Sequence, residues 1–351
     1  EVEGVENRVR LIFDIDPGKR LEIKDIAFEG NEEFSDRKLR RKMKPLKEDA
    51  WWKIFGKKVY KQDDFEEGKG KVLAFYRENG FTDVRVTSDT VYVYNYKGDK
   101  KGIRVRLTID EGPQYKVRHI TWDGNTVYSD ETLTSALGFE EGDVFNEQKF
   151  DENVNINKSS TDINSLYQNI GYLFFRAVPT ISKVGEDSLD IHFDIYENEI
   201  ATINQVGFTG NTRTHDDVVR RTLRTIPCNK YSRDAIIRSI RELGTLGFFD
   251  PQNIEPNVIP NEQNKTVDIS YTLDDSQSTS NFEFSGGYGG PSIGVILSAR
   301  VNFNNFSLKR AFEKDGWRPI PAGDGQKLSL GVQVTGTGYQ SYSFGFQEPW
   351  F

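Results

Sequence analysis

The chain has 351 residues, with 46 lysines and arginines against 54 aspartates and glutamates, for a formal charge of −8. At 36% hydrophobic and 28% charged it is too apolar for wholesale disorder, and its length suits two or three domains. One cysteine, Cys228, excludes an intramolecular disulfide framework and a cysteine-rich zinc site; the three histidines, His119, His192 and His215, leave little for a histidine metal centre. The acidic balance argues against nucleic acid as a partner, and no apolar run approaches the ~20 residues of a membrane helix. Because the sequence opens on Glu1, a processed or cut form is expected.

The first element in chain order is an alternating stretch, Val9, Leu11, Phe13 and Ile15, with the pattern of a strand. Three repeats follow. Gly30-Asn31, Gly124-Asn125 and Gly210-Asn211 each close a short strand. Seven, four and two residues before each glycine stand Ile23/Ile26/Phe28, Val117/Ile120/Trp122 and Ile203/Val206/Phe208. The step of three predicts a bulge, and Gly-Asn a tight turn with positive φ. Helix starts come next, at Ser35-Asp36, at Ser129-Asp130-Glu131, and at Thr214 with Asp216 and Asp217. A hydroxyl cap and first-turn carboxylates suit them.

A second helix, clearest from Ile236, Ile240 and Leu243, ends at a glycine and an aromatic: Gly80-Phe81, Gly171-Tyr172, Gly247-Phe248. Each unit closes on a strictly alternating strand: Ile103/Val105/Leu107/Ile109, Leu189/Ile191/Phe193/Ile195 and Val267/Ile269/Tyr271/Leu273. The expected unit is therefore β-α-α-β-β, an α+β module with two helices on one face of a small sheet. Short linkers of equal length predict fixed stacking of neighbours.

Composition shifts near residue 275. Residues 276–351 hold six basic and five acidic side chains, about one residue in seven, against about one in three before them. Four alternating stretches are built on Phe282/Phe284/Tyr288, Ile293 to Phe303, Leu328 to Val334, and Tyr342/Phe344/Phe346. Alternation alone fits a soluble sandwich or a membrane barrel, whose apolar faces point opposite ways. The polar faces are mostly Gly, Ser, Asn and Gln, and aromatics sit near the strand ends (Tyr288, Phe303, Phe306, Trp350, Phe351) as in interface girdles; these features favour the barrel. Four strands cannot close one, so further strands are expected.

Repeated β-α-α-β-β units running into a Gly-rich alternating segment resemble the POTRA domains and first barrel strands of the BamA-type outer-membrane assembly family. Ala50-Trp51-Trp52-Lys53-Ile54-Phe55-Gly56 with Tyr60 is similar to an insertion in that family's third POTRA. Leu243 to Phe249 is similar to the end of its last POTRA helix, Phe284 to Gly289 to its first barrel strand, and Tyr339 to Phe351 to its fourth. The resemblance implies the end of a preceding POTRA at 1–16, POTRAs at 21–111, 115–198 and 200–275, and a truncated transmembrane β-barrel over 276–351.

It also implies a non-enzymatic protein in the outer membrane, its POTRAs periplasmic. Its implied role is folding and inserting barrel proteins, with unfolded outer-membrane clients, accessory lipoproteins and outer-membrane lipid as partners and no cofactor. The candidate client edge is Val84–Tyr94, through Val84, Val86, Val91 and Val93. Trp51 and Trp52, and a basic helix face of Arg220, Arg221 and Arg224, are candidate partner patches. Phe282, Phe284, Gly286, Gly287 and Tyr288 would form the barrel seam, where glycine weakens a strand. Translocation-assembly and two-partner secretion transporters share the architecture, and a soluble multi-domain binding scaffold is the reading from another class. No catalytic constellation stands out.

Overall fold

The structure is a computed structural model describing residues 23–43, 60–98, 100–157, 159–276, 280–314, 316–317, 320–336 and 338–349. The stretch at 9–15, Trp51, Trp52, Trp350 and Phe351 lie outside the described residues. The chain forms two compact units: Glu1–Thr121 with Leu137–Asn153 and Pro179–Phe193, and Trp122–Ala136 with Val154–Val178 and Asp194–Phe351.

The first module runs β1 (Ile23–Glu29), α1 (Asp36–Lys42), α2 (Gln62–Arg77), β2 (Arg85–Lys97) and β3 (Lys100–Asp110). The second runs β4 (Lys116–Asp123), α3 (Asp130–Leu137), α4 (Glu147–Val154), α5 (Ile163–Asn169), β5 (Arg176–Val184) and β6 (Ser188–Tyr196). The third runs β7 (Thr202–Thr209), α6 (Asp216–Thr222), α7 (Arg233–Thr245), β8 (Glu255–Asn261) and β9 (Thr266–Thr272). The sheet orders are β1-β3-β2, β4-β6-β5 and β7-β9-β8. The last strand of each module is thus central, and its inward rows, such as Val105, Leu107, Phe193 and Tyr271, are fully buried.

The bulge predicted in the first strand is present as a register shift between Ile23 and Asp25 in β1 and between Ile203 and Gln205 in β7. The middle module departs from expectation by carrying three helices. Its second helix is broken, and α5 starts afresh at buried Asp162, whose carboxylate accepts from the Ser165 N–H and hydroxyl, each at 2.7 Å. Such a cap satisfies donors that a new helix start leaves without partners.

The Gly-Asn turns work by division of labour. The glycine carries the positive φ, and the asparagine side chain ties the turn to the helix behind it. Asn31, Asn125 and Asn211 Nδ2 donate to the carbonyls of Phe34, Tyr128 and Thr214, and also to Asp36, Asp130 and Asp216. At Gly210, with φ of +92°, an added Cβ would fall 1.9 Å from the Leu273 carbonyl oxygen, so nothing larger fits.

Two residues past each central strand's last inward side chain stands a carboxylate that grips the same turn. Glu111 accepts from the Glu33 N–H and the Tyr76 hydroxyl. Glu197 accepts from the Thr126 and Val127 N–H groups at 2.8 and 2.9 Å, the Thr126 hydroxyl and the Tyr167 hydroxyl. Asp275 accepts from three successive N–H groups, Thr212 to Thr214. Burial pushes the Glu197 carboxyl up, but the hydrogen bonds of Thr126, Val127 and Tyr167 outweigh it and leave the group below its ordinary value.

Linkers between modules are hydrogen-bonded in the same way twice. The carbonyls of Gly80 and Gly171, at the helix ends, accept from the N–H of Tyr115 and Ala201, each at 2.8 Å. In the first unit Asp83 adds a bond from Tyr115 Oη at 2.8 Å and an ion pair with Lys183, and these partners hold its carboxyl below the usual range. In the second, Arg233 and the Asp234 N–H reach Ser165 and Asn169.

The remaining elements are β10 (Ser280–Tyr288), β11 (Val295–Phe306), α8 (Leu308–Ala311), β12 (Gln326–Thr335) and β13 (Gln340–Gln347), forming an antiparallel sheet in the order β10-β11-β12-β13. The connection between β11 and β12 locks onto the third module. Buried Asn305 donates to Thr214 Oγ1 at 2.9 Å and accepts from the Gly325 N–H at 2.9 Å. The His215 N–H donates to Gly323 O, its ring bonds Asp324 at 2.7 Å, and Asp324 also accepts from Ser307 Oγ. Thr214, expected as the cap of α6, is spent on this junction; His215 holds the cap position and makes no side-chain cap bond. Phe306, expected in an aromatic girdle, is buried beside the junction.

Replacing Glu197 with Gln should accelerate hydrogen exchange at the Thr126 and Val127 amides by about 1–2 kcal/mol of lost protection. A carboxyl depressed by folding stabilises above its unfolded pKa of about 4.3, and the effect is lost as pH falls through the lower folded value. Acidification below about pH 4 should therefore release these amides in the parent and far less steeply in the Gln variant. Asn305→Ala leaves Thr214 Oγ1 and the Gly325 N–H without this partner in a buried site; about 1–3 kcal/mol of local stability should be lost. Faster exchange at Gly323 and Gly325 would register it.

Candidate functional site

Two surfaces concentrate the candidate residues: the rim of the first module's sheet and the four-stranded sheet. At the rim, β2 is a 13-residue edge strand. Val84 precedes it and is core, 4% exposed, and Val86 packs half-buried against the same core, so neither belongs to the open rim. Val91 and Val93 do. They pair with Val105 and Ile103 on the helix-side face, yet remain 39% and 51% exposed because the helices do not cover that margin. Lys69 of α2 reaches the rim only at Asp89, at 2.8 Å. On the other face Arg104 and Arg106 lie over the rings of Tyr94 and Tyr92, a ladder ended by Asp25 and Glu29.

Four other margins of the modules are managed among the described residues. The outer side of β4 is bonded by residues 142 and 143, through Gly142 N–H to Val117 O and Val117 N–H to Asp143 O. The outer side of β7 is bonded likewise by Cys228 and Asn229. Edge strand β5 contains Pro179, and β8 contains Pro256 and Pro260. Proline has no N–H, and in sheets it sits where that donor would point away from the ladder. Pro256, Val258 and Pro260 share one parity, so the outward-facing row of β8 keeps a single donor. Among these margins β2 alone is long and free of proline.

In the four-stranded sheet the two faces separate cleanly. Cross-strand rows Phe282-Val301-Leu330-Phe344 and Phe284-Ala299-Val332-Tyr342 share one face. Rows Glu283-Arg300-Gly331-Ser343 and Ser285-Ser298-Gln333-Ser341 share the other. The apolar face is the uncovered one: Phe282, Phe284, Tyr342 and Phe344 are about 70% exposed or more. Continuous apolar surface of this kind marks contact with lipid or another protein. An aqueous sandwich would have buried it.

Among the described residues β10 is hydrogen-bonded on one side only, leaving its other margin open. An added Cβ at Gly287 would meet nothing, and one at Gly286 only an ordinary contact with Leu297, so packing does not demand either glycine.

The basic face expected on α6 is carried by Arg220 and Arg221 alone, both exposed. Arg220 lies over the Phe208 ring, Arg221 donates to the Asp324 carbonyl, and Arg224 lies beyond the helix, bonded through Nε to Glu242 at 2.9 Å. Among the described residues no group of three or more His, Cys, Asp or Glu is placed to hold a metal.

The chain is 27% identical over 301 residues to the outer membrane protein assembly factor BamA of Neisseria meningitidis serogroup B, covering 85% of this chain and 36% of that protein. To a putative outer membrane protein assembly factor of Treponema pallidum it is 26% identical over 341 residues, 97% of this chain and 38% of that one. It thus spans less than two-fifths of the length of these relatives. Its fold is similar to that of Haemophilus influenzae BamA POTRA3-5, with a TM-score of 0.55 and 24% identity over 73% of this chain and 97% of that one. It is similar, too, to BamA from Haemophilus ducreyi lacking POTRA domains 1-3, with a TM-score of 0.52 and 20% identity over 68% of this chain and 40% of that one. The POTRA profile, surface antigen variable number repeat, matches residues 21–112, 115–198 and 201–275, well over half of the sequence, and the chain belongs to that family.

Proposed function

We propose that this chain is part of a non-enzymatic outer-membrane assembly factor that receives unfolded β-barrel proteins on its POTRA modules and passes them to lipid-facing strands. The observation that carries the reading is the four-stranded sheet, with an apolar face open to its surroundings and a polar face behind it. Relatives named as outer membrane protein assembly factors support the role. The modules would stand in the periplasm, where accessory lipoproteins of the assembly complex are further partners.

In this reading β2 receives the client. An extended segment pairing with it would gain main-chain bonds at ~1 kcal/mol each and would seat alternate side chains against Val91 and Val93. Four or five such bonds, less the cost of ordering the segment, give main-chain binding no tighter than about 0.1 mM. Weak capture suits a surface that must hand its cargo on. At β10, Gly286 and Gly287 keep the pairing with β11 soft, so an incoming strand can add at the margin.

Val91→Pro and Tyr92→Pro separate the edge from the fold, since adjacent residues alternate between the ladder and the open side. One removes a ladder donor and damages the module; the other removes an outward donor and leaves it folded. The folded variant should bind an unfolded outer-membrane protein segment at least about tenfold more weakly. Unchanged binding would rule out β2 as the receiving edge. Gly287→Val, which the open space admits, should stiffen β10 by up to ~1 kcal/mol and slow assembly of a barrel client into vesicles about fivefold. A client that folds at the same rate with or without the protein would dismiss the assembly role.

A further inference from the structure

The β11–β12 connection carries a second feature beside its lock on the third module. Among the large apolar side chains of the described residues, those more than 60% exposed all lie between residues 282 and 344, and none lies in the three modules. Most belong to the apolar sheet face. Phe312 and Trp317 do not: they sit on the connection, at 86% and 63% exposure, with Leu308 at 44% beside them. Phe312 is more exposed than any large apolar side chain on the strands of the sheet.

These rings are held out by a built scaffold. Ser307 caps α8 by accepting from the Arg310 N–H, and Arg310 Nη1 donates to the Ala322 carbonyl at 2.9 Å. The chain then doubles back so tightly that a Cβ on Gly316 would fall 1.7 Å from the Arg310 carbonyl oxygen. Trp317 Nε1 donates to the Ala311 carbonyl at 3.0 Å. Its polar atom is satisfied from within while its ring faces outward, which leaves an apolar surface with no internal reason for exposure. Lys309 and Lys314, both exposed, flank Phe312.

The topology fixes where this surface lies. β10 begins near the third module, and the connection is hydrogen-bonded to residues 215 and 221 of that module. The connection therefore lies at the module-side end of the strands, next to the end of the apolar rows at Phe303 and Leu328. Exposed aromatics, flanking lysines and continuity with an apolar face together match a membrane–water boundary with anionic headgroups.

We propose that Phe312 and Trp317 form a foot that rests in the headgroup region of the membrane leaflet on the module side, with Lys309 and Lys314 on the lipid phosphates. The inference rests on the lipid-facing reading of the sheet. Because the connection also grips His215 and Arg221, contact with lipid and the seating of the third module share one piece of chain.

The test reconstitutes the protein into vesicles of phosphatidylethanolamine and phosphatidylglycerol containing phospholipid brominated either near the headgroup or near the chain ends. The Trp317 signal is the emission that Trp317→Phe removes. A second probe, Phe284→Trp in that background, reports on the sheet face. Loss of Trp317 emission, larger with bromine near the headgroup, together with quenching at position 284, is the expected result. Quenching at 284 with none at Trp317 overturns the foot and leaves the sheet reading intact. Quenching at neither position overturns both.

Discussion

Backbone groups along the rim of a sheet must find partners or be denied them, and this chain meets that requirement differently at each margin. The outer sides of β4 and β7 are bonded by short segments ahead of the following helix. The outer row of β8 is stripped of donors by Pro256 and Pro260. Among the described residues β2, like the two end strands of the four-stranded sheet, β10 and β13, is neither covered nor blocked. Selective closure of the β4, β7 and β8 margins gives the open rim of β2 its meaning, since an unmanaged edge is an invitation to pairing.

The modules afford such edges because their shape is set elsewhere. Each central strand is buried on one face and bonded on both sides, and the carboxylate just past it anchors the turn that begins the first helix. Glu111, Glu197 and Asp275 thus tie the end of a module to its beginning. In the third module the same turn also presents Thr214 and His215 to the strand segment, so one local structure closes the module and docks it. A defect there would be felt on both sides.

Much of this was legible in the sequence. Period-two rows such as Leu189/Ile191/Phe193/Ile195 and the triplicate Gly-Asn turns announce themselves because burial and positive φ restrict residue choice locally. The bulge could be read from the three-residue step. What stayed hidden depends on distant partners. Arg224 looks like part of a cationic face until Glu242 is brought against it, and Thr214 looks like a helix cap until Asn305 claims its hydroxyl. The clamp carboxylates resemble ordinary linker residues, though their equal offset from the three central strands was available as a signal. Val84 fits the strand pattern, but the strand starts one residue later and its side chain turns into the core.

The four-stranded segment is lopsided in its connections. Its two distal hairpins span only residues 289–294 and 336–339, whereas the proximal crossing takes residues 307–325 and holds a helix, a fold-back and the docking contacts. Outer-membrane barrels ordinarily reverse that proportion, with brief inner turns and generous outer loops. On the lipid-facing reading, this stretch offers an antibody, phage or competing cell very little to recognise from outside, and its elaboration lies on the sheltered side.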